Sequence, residues 1–157
     1  MPLIYDAFLL TDELDALADR FATLATVPGL VHVICEAPVT FRGAPKPLYF
    51  WEARATPRFA CRHGRWNHVR VEAHEMRGRT PAAREAAQRE YLLHGIAAEP
   101  GDVVLFGDVA DIPDPDAVAD LAYRKTAPPL MLGGTIARYY RDIGSIAELE
   151  ETRRQAA

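Results

Sequence analysis

The chain has 157 residues, 49% apolar and 25% charged, the make-up of one globular domain with a buried core spanning residues 1–157. Its 22 acidic and 18 basic residues leave a net charge of −4 with no long basic run, which argues against a sequence-independent grip on nucleic acid. No apolar stretch reaches the length of a membrane span, and no signal-peptide layout opens the chain, so the expected compartment is the cytoplasm.

Leu3 to Phe8 reads as a first strand opening into Thr11-Asp12-Glu13, with Thr11 as N-cap of a helix whose apolar face is Leu14, Leu17, Ala18, Phe21 and Leu24. Pro28-Gly29 breaks that helix. Leu30 to Cys35 then forms a second buried strand ending at Glu36, and Pro38 to Pro47 an ordered loop. Trp51 to Arg62 is ambiguous and admits a short helix; Asn67 to Val71 reads as a third strand. Thr80-Pro81 opens a helix that runs to about His94 and stops at Gly95. Val103 to Phe106 is an uninterrupted apolar run, which fits a strand covered on both faces. Asp114 caps a helix reaching about Lys125, with Pro115 in its first turn. Pro128 to Thr135 has room for one more strand, and Ser145 to Glu148 has capping-box spacing for a terminal helix. Strand–helix alternation predicts an α/β fold with a mostly parallel sheet.

Two cysteines, Cys35 and Cys61, lack metal-site spacing, and Cys35 reads as a buried small hydrophobe. The histidines His32, His63, His68, His74 and His94 fall in no ligand pattern. Chemistry concentrates after Phe106, where Gly107-Asp108-Val109-Ala110-Asp111-Ile112-Pro113 leaves the strand. Ligands of open α/β sheets sit beyond the carboxyl ends of strands, so Asp108 and Asp111 either hold a divalent cation there or solvate a turn. Asp6 and Glu36 also fall at predicted strand ends, where ligands of such sheets bind, although Glu36 also reads as a plain loop carboxylate. Arg84 and Gln88 share one helical face, and Glu85 with Arg89 forms either a surface ion pair or part of a site. Lys46 is either a loop lysine or a phosphate contact.

Four blocks resemble glycosyltransferase family 17, which includes the β-1,4-mannosyl-glycoprotein 4-β-N-acetylglucosaminyltransferases. Ile4-Tyr5-Asp6-Ala7-Phe8 with Glu13-Leu14-Asp15-Ala16-Leu17 and Arg20 is similar to the family's Y-D-x-F … E-L-D-x-L … R opening. Val33-Ile34-Cys35-Glu36, Thr40-Phe41-Arg42-Gly43 and Lys46-Pro47-Leu48 resemble V-I-x-E … T-F-x-G-x-x-K-P-L. Arg84 to Arg89 is similar to R-E-x-x-Q-R, and Pro100 to Leu105 with Asp108, Ile112 and Pro113 completes the series. The resemblance runs from Leu3 to about Val118; residues 126–157 match poorly.

The resemblance implies a GT-A-like fold shortened at its C-terminal end, a nucleotide-sugar donor such as UDP-N-acetylglucosamine, a glycan acceptor, and a divalent cation, manganese or magnesium. It assigns donor contacts to Asp6, Glu36, Lys46, Arg84, Gln88 and Arg89, and metal ligation to Asp108 and Asp111. Glu85 is a candidate catalytic base, needed to deprotonate the attacking hydroxyl. Where the family reads D-x-D-E-I-P, this chain has Ala110 in place of the second aspartate and Asp111 in place of the glutamate. That loss supports an alternative, a catalytically impaired remnant that binds nucleotide sugars or serves assembly. A nucleotidyltransferase fits less well, because no glycine lies between Tyr5 and Glu13 to form a phosphate loop. A short domain with an unfinished sheet edge also favours a homodimer.

Overall fold

A computed structural model describes residues 1–60 and 65–123 in full, together with the backbone of two short strands further on. Four strands, β1 (Ile4–Leu9), β2 (Leu30–Glu36), β3 (Arg65–Arg70) and β4 (Val103–Phe106), form one parallel sheet in the order β3-β2-β1-β4. The register sets Asp6 opposite His32 on β2 and Leu105 on β4. Because the order reverses between β1 and β4, their carboxyl ends open the crevice where such sheets take ligands.

Alternation along each strand sends side chains to opposite faces. Ile4, Phe8, Ile34, Val103 and Leu105 pack under helices α1 (Leu14–Leu24) and α6 (Pro115–Leu121). Tyr5, Ala7, Val33, Cys35 and Val104 meet the other layer, contributed by α5 (Pro81–Tyr91) and a 3₁₀ turn over Leu92–Gly95. Short helices α2 (Tyr49–Ala53), α3 (Pro57–Ala60) and α4 (Ala73–Met76) complete the shell. Among the described residues no helix is long and apolar enough to cross a membrane.

Two helices start as the sequence indicates. Thr80 accepts a hydrogen bond from the Ala83 amide and Asp114 from the Ala117 amide, each followed by proline. Thr11 does not cap α1. Instead Glu13 holds the N-cap position, and its carboxylate accepts the amides of Thr11 and Asp12 at 2.9 and 3.1 Å. The ambiguous stretch after Leu48 divides into α2 and α3, and α4 is an element the periodicity does not reveal. Past Tyr123, the backbone pairs β5 (Leu130–Leu132) antiparallel with β6 (Thr135–Ala137), two strands where one is expected. The expected helix at Ser145 and residue Cys61 lie outside the described residues.

Gly95 ends the 3₁₀ turn against the sheet, where a Cβ would fall 2.5 Å from Val33 Cγ1 and 2.7 Å from Val69 Cγ2. Both neighbours are β-branched and stiff. Gly95→Ala is therefore expected to cost about 1–3 kcal/mol by overpacking, read as a lower urea midpoint at unchanged slope.

Candidate functional site

The acidic turn after β4 is held from beneath by one guanidinium. Arg20, buried on α1, donates through Nε and Nη2 to the two carboxylate oxygens of Asp6 at 2.8 and 2.6 Å. Its Nη1 donates to the carbonyl oxygens of Asp108, Val109 and Asp111 at 2.9, 3.2 and 2.9 Å. His32 Nδ1 lies 2.8 Å from Asp6 Oδ2, so an ionised Asp6 places the ring proton on Nδ1, and the ring stacks on Phe21 at 4.5 Å. Burial alone opposes ionisation of Asp6, but the charge and hydrogen bonds of Arg20, then His32, outweigh it and hold the carboxyl well below its ordinary range.

Asp6 thus lies mid-strand and fully buried, not at the end of β1, and both oxygens already have protein partners. It organises the site instead of touching a donor. Glu36 does end β2, yet it is equally buried: it accepts the Phe50 and Trp51 amides at 3.0 and 3.2 Å and His68 Nε2 at 2.7 Å. Its carboxylate anchors the start of α2. Gln88 is buried beside Met76, its Nε2 3.9 Å from the thioether sulfur. Cys35 is buried as expected, its thiol pushed up to about 12 by burial.

Of the remaining candidates, Lys46, Arg84, Glu85 and Arg89 are half-buried, and the two aspartates after β4 are open to solvent. Asp108 keeps 70% of its side chain exposed, and Asp111 and Ala110 are exposed on the same turn. Gly107 enters that turn without a left-handed backbone, so its permissiveness is not what shapes the loop. Arg89 bridges Glu85, at 2.9 Å, and Asp108, at 3.4 Å. Two carboxylates on one turn fit a divalent cation that takes its other ligands from diphosphate oxygens and water. Among the described residues no group of three or more His, Cys, Asp or Glu side chains is placed to hold a metal unaided.

A hollow of about 540 Å³ lies between the exit of β1 and the Pro38–Pro47 loop, lined by Thr11, Asp12, Phe41, Arg42, Lys46 and Tyr49 among others. Lys46 is half-buried over the Tyr49 ring at 5.4 Å, and desolvation lowers its pKa against the partial support of Glu36, Asp12 and Glu13. Asp12, Arg42 and Tyr49 escape a sequence reading. Only the position of Asp12 just past the first strand offered a signal. Arg84 lines a second hollow instead, together with Val39 and Gly43 of the same loop.

Removing either end of the buried pair strands a charge, so Asp6→Asn and Arg20→Met are each expected to lose about 3–5 kcal/mol in urea unfolding at neutral pH. Because the folded-state pKa of Asp6 is depressed, its contribution is complete above the ordinary carboxylate range and disappears as pH falls through the folded value. Below about pH 4 the wild-type midpoint should therefore fall more steeply than that of Asp6→Asn.

The sequence model of glycosyltransferase family 17 matches residues 2–139. The match continues past Val118, where the residue-by-residue resemblance fades. No curated protein matches the chain. The chain belongs to glycosyltransferase family 17.

Proposed function

We propose that this family 17 glycosyltransferase moves a sugar, N-acetylglucosamine in the first instance, from a nucleoside diphosphate donor to a hydroxyl of a glycan acceptor. The reading rests above all on the Asp108–Asp111 turn, whose carbonyls are tied inward to Arg20 while its carboxylates stay exposed beside β1 and β4. In the transfer, the bond from the anomeric carbon to the diphosphate oxygen breaks and a bond to the acceptor oxygen forms. The leaving diphosphate gains negative charge, and the acceptor hydroxyl gives up a proton.

Each part has a candidate in the chain. Asp108 and Asp111 would hold manganese or magnesium, which supplies positive charge to the departing diphosphate. Lys46, half-buried and adjoining the hollow, meets the same charge directly, while Phe41 and Tyr49 offer faces for the nucleotide base. Arg89 orients Asp108 and Glu85 together. Glu85 is our candidate for general base, and its ion pair with Arg89 fixes where its carboxylate stands.

Ala110 favours a second reading, in which the same fold binds a nucleotide sugar without turning it over. It is exposed on the acidic turn, where the family's second aspartate would add a ligand. Calorimetric titration with UDP, with and without manganese chloride, tests the donor assignment. Manganese should tighten UDP binding about tenfold or more in the wild type and by much less in Asp108→Asn. Equal affinities across those conditions contradict the assignment. Donor hydrolysis by the wild type favours the enzyme; hydrolysis that appears only in Ala110→Asp favours the binding protein.

A further inference from the structure

We propose that the second hollow, bounded by Gly43, Met76, Arg77, Gly78 and Arg84, is an oxyanion site that takes a phosphate group. Its volume is about 260 Å³, and Val39 and Ala73 complete its lining. Its argument is independent of the donor assignment above.

Arg84 is pre-set there. Its Nε donates to the Met76 carbonyl at 3.0 Å and its Nη1 to the Phe41 carbonyl at 2.9 Å, which fixes the plane of the guanidinium. Among the described residues Nη2 has no protein acceptor. Gly43, at φ +90°, lies against that plane so closely that a Cβ would come within 2.8 Å of Nη2 and 2.9 Å of Cζ. Gly78, at φ +71°, turns the chain directly after Arg77. Arg77 is exposed and forms no ion pair among the described residues.

The nearby carboxylates are engaged elsewhere, Glu72 with Arg70 at 3.5 Å and Glu75 with His74 at 3.2 Å. Among the described residues, two guanidinium groups therefore line one concavity and no carboxylate lines it with them. A planar fork with free N–H groups matches a tetrahedral oxyanion, and a rigid arginine loses little freedom on binding one. The phosphate belongs either to the donor's diphosphate or to a phosphorylated acceptor.

Titration with inorganic phosphate, followed by the amide resonances of Gly43 and Gly78, tests the site. Both resonances should move saturably, while sodium chloride at matched ionic strength leaves them nearly unmoved. Arg77→Ala, which removes no side-chain hydrogen bond or ion pair among the described residues, should weaken phosphate about tenfold. Shifts reproduced by chloride, or an Arg77→Ala affinity within about twofold of wild type, overturn the proposal. Arg84→Lys should weaken phosphate as well, at a melting temperature confirming an intact fold; retained affinity in a folded variant also counts against the site. UDP that displaces phosphate and weakens in step in Arg77→Ala identifies the donor diphosphate as occupant. Simultaneous binding of UDP and phosphate assigns the hollow to the acceptor. Loss of UDP binding with intact phosphate shifts sinks the donor assignment alone, and the converse sinks only this one.

Discussion

Arg20 and Asp6 form a charged pair almost wholly removed from water, with side-chain exposures of 2% and 1%. Such a pair is a poor source of net stability, because desolvating both ions opposes their attraction. Its value here is geometric. One planar group simultaneously addresses a strand, through Asp6, and three consecutive-turn carbonyls after another strand, through Nη1. Phe8 covers the guanidinium at 4.8 Å and His32 completes the lone pairs of Asp6, so the arginine has little room to reorient. The acidic turn inherits its position from that arrangement.

The carboxylates of the described chain divide by burial, and the buried ones shape the fold. Asp6, Glu36 and Asp102 are buried, with oxygens that accept protein donors; Asp102 ties the amides of Leu3 and Glu99 at 2.8 and 2.9 Å. Each fixes where a strand begins or where the next element departs. Asp12, Asp108 and Asp111 are exposed around the carboxyl ends of β1 and β4, where ligands of this class of sheet bind. The Pro38–Pro47 loop extends the division. Its own β-bridge, Val39 to Pro45, stiffens it, and its residues line both a lysine–tyrosine hollow and an arginine hollow.

Elements that bury both faces were legible from composition alone. The apolar runs of β1, β2 and β4 have few competing interpretations, and Thr80-Pro81 and Asp114-Pro115 mark helix starts through local hydrogen-bond chemistry. β3 was harder, since only Val69 of its six residues is buried. The site was half legible. Asp108 stands where a strand end must release it, a consequence of one short run. The fates of Asp6 and Glu36 depend on register and on partners 14 to 32 residues away, Arg20, His32 and His68, which no local pattern discloses. Arg84 belongs to a recognisable block, but the hollow it faces is created by two loops distant in sequence.

Hydrogen exchange at the amides from Gly107 to Ile112, compared between the wild type and Arg20→Lys, bears most directly on the claim that one guanidinium positions the acidic turn. Lysine retains a charge for Asp6 but lacks the fork that reaches three carbonyls. Faster exchange confined to this turn, with protection of β2 and α5 preserved, is the expected result. Unchanged exchange there in the lysine variant contradicts the claim.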